Sequence, residues 1–355
     1  MRLPNAAALV AALTAIVLAR SYFVALYATE LPFWDQWDAD IRKLYKPLVD
    51  GNLAFADLFA AHNEHRIFFT RVFGLLLFGA NEGQFDNVVV AFANTIVYAA
   101  MLGAFAAPLF RDFDRRSLLS AGFALVAVGS LPYAWENVTI GFQNQFYFCA
   151  LWMIVAISAL AFDRPWRAIA CSCVAALCGL FTMATGVLAA PALAVVAACR
   201  YRDGEFSRPQ LAVAVGAAAA IFAVGLALIP PAPQHHGLRA DGMAELASSA
   251  LLALSWPLTA DWCWLAVPLI WWPYAWWVWR HLQRSRASMP ALDRFLFGVA
   301  TWAALVAVAI AAARGQGMTE VASRYTETLV LGFLANLLLA IRIVQSLPDT
   351  SRRLE

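Results

Sequence analysis

Ten long apolar runs, spread from one end of the chain to the other, restrict its fold more than any other feature. A bilayer core takes about 20 apolar residues per helix, and somewhat fewer where neighbouring helices shield it. Runs of that kind lie near 5–28, 86–109, 118–132, 145–162, 168–184, 186–199, 210–230, 261–280, 292–313 and 326–346. Composition bears on this in one respect. Only 14% of the 355 residues are charged, against roughly 25% in a soluble domain, and the shortfall runs the whole length. That excludes a single anchor carrying a soluble catalytic domain. The expected fold is all-α and polytopic, one transmembrane domain over 1–355, with no internal repeat.

Orientation follows from the basic residues in short loops. Arg111, Arg115 and Arg116, then Arg164 and Arg167, then Arg200, Arg202 and Arg208, then Arg280, Arg284 and Arg286, and finally Arg342, Arg352 and Arg353 occupy alternating connections. They share a side only if two further apolar stretches fail to cross. These are Ile67–Ala80, which carries Arg71, and Met243–Pro257, interrupted by Glu245 and a serine pair. Both are expected to be interfacial or re-entrant helices. Ten spans then leave both termini in the cytoplasm. With Arg2 and Arg294, 16 of the 25 basic residues fall inside, while 15 of the 23 acidic residues fall outside. Residues 29–85 become the first external segment. The first run is longer than a signal-peptide core, and Arg20-Ser21-Tyr22 is unlike a cleavage site, so that helix is expected to be retained.

A net charge of +2 is too balanced for a protein that neutralises nucleic-acid phosphates. The six cysteines sit within or at the ends of apolar runs and show neither a disulfide framework nor zinc spacing.

The informative polar residues then collect on the external side. Trp34-Asp35-Gln36-Trp37-Asp38 follows Pro32, where a short helix can start. On a helix, Asp35 and Asp38 share a face, and paired carboxylates suit a divalent cation or a general base. Trp34 and Trp37 share that spacing and suit a sugar ring or the membrane interface. The plain alternative is solvated loop acids beside an interfacial tryptophan belt. His62-Asn63-Glu64-His65-Arg66 precedes an apolar run. Read as a helix, it groups His62, His65 and Arg66 on one side. That cluster suits a phosphate, or a metal site completed by the upstream acids, with a solvated helix start as the alternative. Glu136 and Gln143 lie in an amide-rich loop suited to a hydroxyl-bearing ligand. Thr182–Gly186 reads as a helix hairpin, and His235 and His236 as a solvated loop. Arg314 and Arg324, the latter beside Tyr325, lie at the mouths of two runs. An arginine there needs a partner: a lipid-linked phosphate or pyrophosphate, or else Glu320, Glu327 or a lipid head group.

The combination of Trp-Asp-x-Trp-Asp, His-Asn-Glu-His-Arg-Ile, Trp-Glu-Asn before Gly-Phe-Gln, and Ser-Arg-Tyr, spread from Trp34 to Tyr325, resembles bacterial multi-pass membrane proteins that look like members of the GT-C superfamily of glycosyltransferases. The resemblance implies an inner-membrane enzyme working at the periplasmic face. It would move a sugar from a polyprenyl-phosphate donor to a cell-envelope glycan or lipid acceptor. It also implies that an acid of the first external loop is the base or helps bind a divalent metal. Asp35 matches that place best and Asp38 second, with His65 as a further metal ligand. Arg324 resembles a donor-phosphate contact, and His62, Glu64, His65 and Arg66 an active-site wall. The chain departs from many relatives in lacking a large soluble domain after the helices, where acceptor recognition would lie.

The expected chemistry is inverting transfer with Asp35 as base and with Arg324 and Arg66 stabilising the leaving phosphate. Two other classes compete. A flippase or transporter of a lipid-linked saccharide would place charges near the midplane and show paired broken helices. An O-antigen polymerase or ligase would carry arginine-rich external loops. The enzyme reading requires Asp35, His65 and Arg324 to line one cavity.

Overall fold

The computed structural model describes residues 3–112, 115–258, 263–283 and 288–346. Arg2, Arg284, Arg286, Arg352 and Arg353 of the charge pattern, and the first two residues of the run at 261–280, lie outside the described residues. Every regular element among those described is helical. Inside a bilayer a chain must satisfy its backbone groups within itself, and helices do so locally.

In chain order the helices are α1 (Leu3–Tyr27), α2 (Lys46–Val49), α3 (Phe68–Ala80), α4 (Asn87–Asp112) and α5 (Arg115–Ser130). There follow α6 (Trp135–Thr139), α7 (Asn144–Phe162), α8 (Pro165–Gly179), α9 (Ala189–Arg202) and α10 (Arg208–Leu228). Last come α11 (Met243–Ser255), α12 (Cys263–Leu282), α13 (Ala291–Arg314) and α14 (Ser323–Ser346). A nine-residue π-helix, Trp37–Tyr45, lies between α1 and α2.

The protein is a multi-pass membrane protein: seven of its described helical segments are long and apolar enough to cross a bilayer, those of α1, α4, α10, α13 and α14, and those of α7 and α9 together with the 3-10 turns that lead into them, Gly141–Phe162 and Ala184–Arg202. Three of the ten expected spans fall short of that standard. The runs at 118–132 and 168–184 form α5 and α8, of 16 and 15 residues. At 1.5 Å per residue these reach about 24 and 22 Å, under the roughly 30 Å of a hydrocarbon core. The run at 261–280 forms α12, whose 20 residues are diluted by six tryptophans and by Pro268 and Pro273. The two short stretches expected not to cross become α3 and α11, each 13 residues long.

Burial separates centre from periphery. In α13 72% of the apolar window is buried and in α14 67%, against 22% in α1 and in α10. The first two therefore form the middle of the bundle together with α7, which is buried on nearly every side. Peripheral helices instead show apolar side chains such as Val10, Leu18 and Val224 outward, as lipid contact allows.

The two ends of the bundle differ in chemistry. At one end α9, α13 and α14 are laced by matched charges. Arg294 bonds Asp203 at 3.2 Å and Glu205 at 2.7 Å, Arg200 bonds Glu205 at 2.9 Å, and Arg342 bonds Asp293. The other end collects the starts of α4, α7, α9 and α14 and the ends of α1, α10 and α13. There residues 29–85 fold over the bundle as a cap with a small core of Leu44, Tyr45 and Leu58, packed by Phe59, Phe68 and Phe78.

Candidate active-site cavity

The cap and the bundle together line an open cavity of about 470 Å³, a size that suits a small organic ligand. Trp34 and Asp35 enter it from the cap, His62–His65 from the loop before α3, and Gln143 and Gln145 from the start of α7. Arg314 closes α13 on it and Arg324 and Tyr325 open α14 on it. The rest of the wall is mostly apolar, with Met183, Val187, Ile229 and Ile310.

Residues 62–66 are not helical. Asn63 adopts φ +48°, a left-handed conformation that asparagine tolerates, and His62 and His65 exchange both backbone hydrogen bonds at 2.9 Å. The resulting tight turn sends its side chains in different directions, so the expected one-sided group of His62, His65 and Arg66 does not form. Arg66 leaves the cavity altogether. It donates to the Phe59 carbonyl at 2.9 Å and the Leu228 carbonyl at 3.0 Å, which uses it as a brace between cap and α10 and not as a phosphate ligand.

Glu64 turns to Arg314, whose guanidinium donates to Oε1, and its Oε2 lies 2.7 Å from His235 Nδ1. Burial opposes ionisation of Glu64, but His65, its own backbone N–H and Arg314 outweigh it and bring the carboxyl down to about 2. His65 Nδ1 accepts from the Ala184 backbone N–H at 3.1 Å, which leaves the ring proton on Nε2. Burial pushes the His65 imidazole down to about 4, so it is neutral at physiological pH.

Asp35 precedes the π-helix and Asp38 lies in its first turn. Their carboxylates turn to the same side, as a helix would have them, but His62 stands between them. Its Nε2 is 3.7 Å from Asp35 and its Nδ1 is 3.6 Å from Asp38. His62 holds the Asp35 carboxyl below the usual range against the effect of burial, and Arg324 and His235 add to this. Asp38 is further tied to Arg42 and, at 2.6 Å, to Lys43, and it lies outside the cavity wall. Trp37 is also outside it, whereas Trp34 stacks on Phe33 at the rim with ring centroids 4.7 Å apart.

The donor set expected for a metal, Asp35, Asp38 and His65, is not assembled. His62 occupies the space between the acids, and His65 is committed to Ala184. Among the described residues no three His, Cys, Asp or Glu side chains converge as a ligand set. The residues present therefore do not fit a resident metal ion.

Glu136, expected to meet substrate, is buried behind the wall. Its Oε2 accepts from the Ser323 hydroxyl at 2.5 Å and the Arg324 backbone N–H at 3.1 Å, and its Oε1 accepts from Arg324 Nη1 at 2.8 Å. A carboxylate on the Arg324 N–H, in the first turn of α14, caps that helix and complements its dipole. Arg324 is thereby held by one edge, with its side chain still 30% exposed. Its partner is Glu136, not Glu320 or Glu327.

Two segments that read in the sequence as a solvated loop and a plain hairpin form part of the wall. His235, expected in a solvated loop, is bonded to Glu64, and its neighbour Gln234 reaches Asn63 at 3.3 Å. The Thr182–Gly186 hairpin presents Met183, Ala184 and Thr185 to the cavity. Gly186 was the available signal: a Cβ there would sit 2.2 Å from the Gly179 carbonyl oxygen, so two chain segments touch at backbone distance.

Comparison with family models, with curated proteins and with solved structures finds no match to this chain. Fold and site together define a multi-pass membrane protein with a mixed polar and apolar cavity at one end of its helix bundle.

Proposed function

We propose that this chain is a GT-C-type glycosyltransferase. It takes a sugar from a polyprenyl-phosphate donor and passes it to a cell-envelope glycan or lipid at the periplasmic face. In this reading α5, α8 and α12 complete ten spans of the bacterial inner membrane, with both termini cytoplasmic. One observation carries it: Asp35, His65 and Arg324 line a single cavity whose remaining wall is mostly apolar. An isoprenoid phosphate needs a cation for its head and a hydrocarbon surface for the adjoining chain.

The acceptor hydroxyl oxygen attacks the anomeric carbon while the bond from that carbon to the phosphate oxygen breaks. The hydroxyl proton passes to Asp35, and polyprenyl phosphate leaves with the electron pair. Asp35 is ionised at neutral pH, as a base must be, and Arg324 meets the charge that grows on the leaving phosphate. His65 offers its Nε2–H to the polar part of the ligand, and Trp34 offers a ring face at the rim.

The test is Asp35→Asn in membranes supplied with polyprenyl-phosphate sugars. Transfer falls by about 10²–10⁴-fold, while the melting temperature holds, because Asp35 is half-exposed. Undiminished transfer by the folded variant removes Asp35 as the base.

A carrier for a lipid-linked saccharide is the second reading, favoured by one feature, an ion pair between Arg20 and Glu327 buried among the spanning helices. Neither residue lines the cavity, which ranks it second. Movement of intact donor across the membrane without cleavage of its sugar–phosphate bond would reverse that order.

A further inference from the structure

Between the acidic and basic sides of the cavity, the wall carries two amides that the reaction above leaves unused. Gln143 closes the short turn Gly141–Gln143 and Gln145 lies in the first turn of α7. Both line the cavity, with 7% and 4% of their surface exposed. Gln145 Nε2 reaches Gln143 Oε1 at 3.5 Å, the outer limit of a hydrogen bond. Gln145 Oε1 is buried with no hydrogen-bond partner among the described residues. A buried amide oxygen without a partner is a cost that folding alone does not recover. In the wall of a cavity, a ligand can supply what is missing.

The position of the pair says which part of the ligand does so. Phe142, just before Gln143, packs edge-on against His62 with ring centroids 5.2 Å apart, and His62 adjoins Asp35. Phe146, just after Gln145, packs edge-on against Tyr325 at 5.9 Å, next to Arg324. The amides thus sit between the base and the cation, where the group being transferred must lie. The chemistry narrows the ligand too. A hydroxyl both donates and accepts, so it satisfies an amide in either orientation of its oxygen and nitrogen. A phosphate or carboxylate cannot donate to the unpaired oxygen.

We infer that Gln143 and Gln145 form the subsite that reads the hydroxyl groups of the donor's sugar and holds its ring between Asp35 and Arg324, an assignment that rests on the lipid-linked sugar named above. Gln145→Leu keeps the size of the side chain and removes the unpaired oxygen. A purely structural glutamine would lose stability on this change. A ligand-reading one loses affinity while the empty protein melts at the same temperature or higher.

The experiment measures binding to the full chain in detergent or nanodiscs by tryptophan fluorescence and thermal shift. The probes are bare polyprenyl phosphate and a panel of polyprenyl phosphates carrying a hexose or a pentose. The wild type binds at least one sugar-bearing lipid more tightly than the bare one. Gln145→Leu loses about tenfold on that lipid and keeps its affinity for bare polyprenyl phosphate. Gln143→Leu, a second variant, shows the same selective loss. Unchanged affinity for the sugar-bearing lipid in both variants, or equal loss on both lipids, overturns the subsite and leaves the glycosyltransferase reading standing. A selective loss in a protein that never cleaves the donor keeps the subsite and removes the enzyme. Failure of the wild type to bind any of these lipids removes both.

Discussion

Two arginine–glutamate pairs meet the start of α14, and they are built in opposite ways. Arg20 and Glu327, 2.5 Å apart, are both almost wholly buried. Arg20 also donates to the Gly129 carbonyl at 2.8 Å and Tyr147 hydroxyl at 3.2 Å, and it lies over the Tyr98 ring. Glu327 accepts from Asn137 Nδ2 at 2.8 Å. That pair is closed on itself and joins α1 to α14 through α6 and α7. In the pair of Arg324 and Glu136, only the acid is buried. Glu136 is saturated by α14, while the guanidinium keeps an open edge on the cavity. Burial of both partners makes a rivet. Burial of the acid alone makes a cation held ready for an anion.

The contrast can be broken by experiment. Glu327→Ala leaves Arg20 buried and uncompensated, and costs about 3–5 kcal/mol in unfolding measurements; a loss under 1 kcal/mol would show that the rivet is not structural. Glu136→Ala removes a helix cap and the anchor of Arg324. It lowers stability by about 1–2 kcal/mol and the proposed sugar transfer by at least tenfold, whereas Glu136→Gln, which still accepts from the backbone, restores most of the stability.

A third buried acid sharpens the comparison because no arginine is bonded to it. Asp40 lies near Arg71, but Arg71 Nη1 is spent on the carbonyls of Asp57, Leu58 and Ala60 at 3.0, 3.2 and 2.5 Å. Burial raises the Asp40 carboxyl from 3.8 to about 7. The fold therefore keeps a proton that the unfolded chain releases. Stability is full below the ordinary carboxylate range, falls as pH rises to about 7, and is flat above. Asp40→Asn abolishes that fall and melts higher than wild type at pH 8, with little difference at pH 4. His65 slopes the other way. Its depressed imidazole makes stability drop as pH falls from 6.5 to about 4. The smallest effect belongs to Lys46→Ala, which breaks an exposed pair with Asp50 and leaves the melting temperature unchanged.

The spanning helices were legible in the sequence because continuous apolar runs have few other uses. Their ends were less so. The run at 168–184 includes Leu180 and Phe181, which are apolar but belong to the turn after α8. The site was legible as residue types more than as partnerships. Asp35, His65 and Arg324 do share a cavity, yet helical spacing misgrouped residues 62–66, since nothing in the residue order announces that Asn63 turns left-handed. Trp-Glu-Asn and Ser-Arg-Tyr read as separate motifs and prove to be one junction, with Glu136 capping the helix that Arg324 begins. Glu64 and His235 stand 171 positions apart, a distance at which no local pattern operates.

Gly186 has a consequence beyond packing. Every other amino acid begins with an atom for which there is no room beside the Gly179 carbonyl, and the segment it anchors carries the Ala184 N–H on His65 and the Thr185 face of the cavity. In a saturation library selected for activity, this codon should tolerate only synonymous change. That intolerance would come from a position that touches no ligand, and it would mark the backbone as part of what selection acts on.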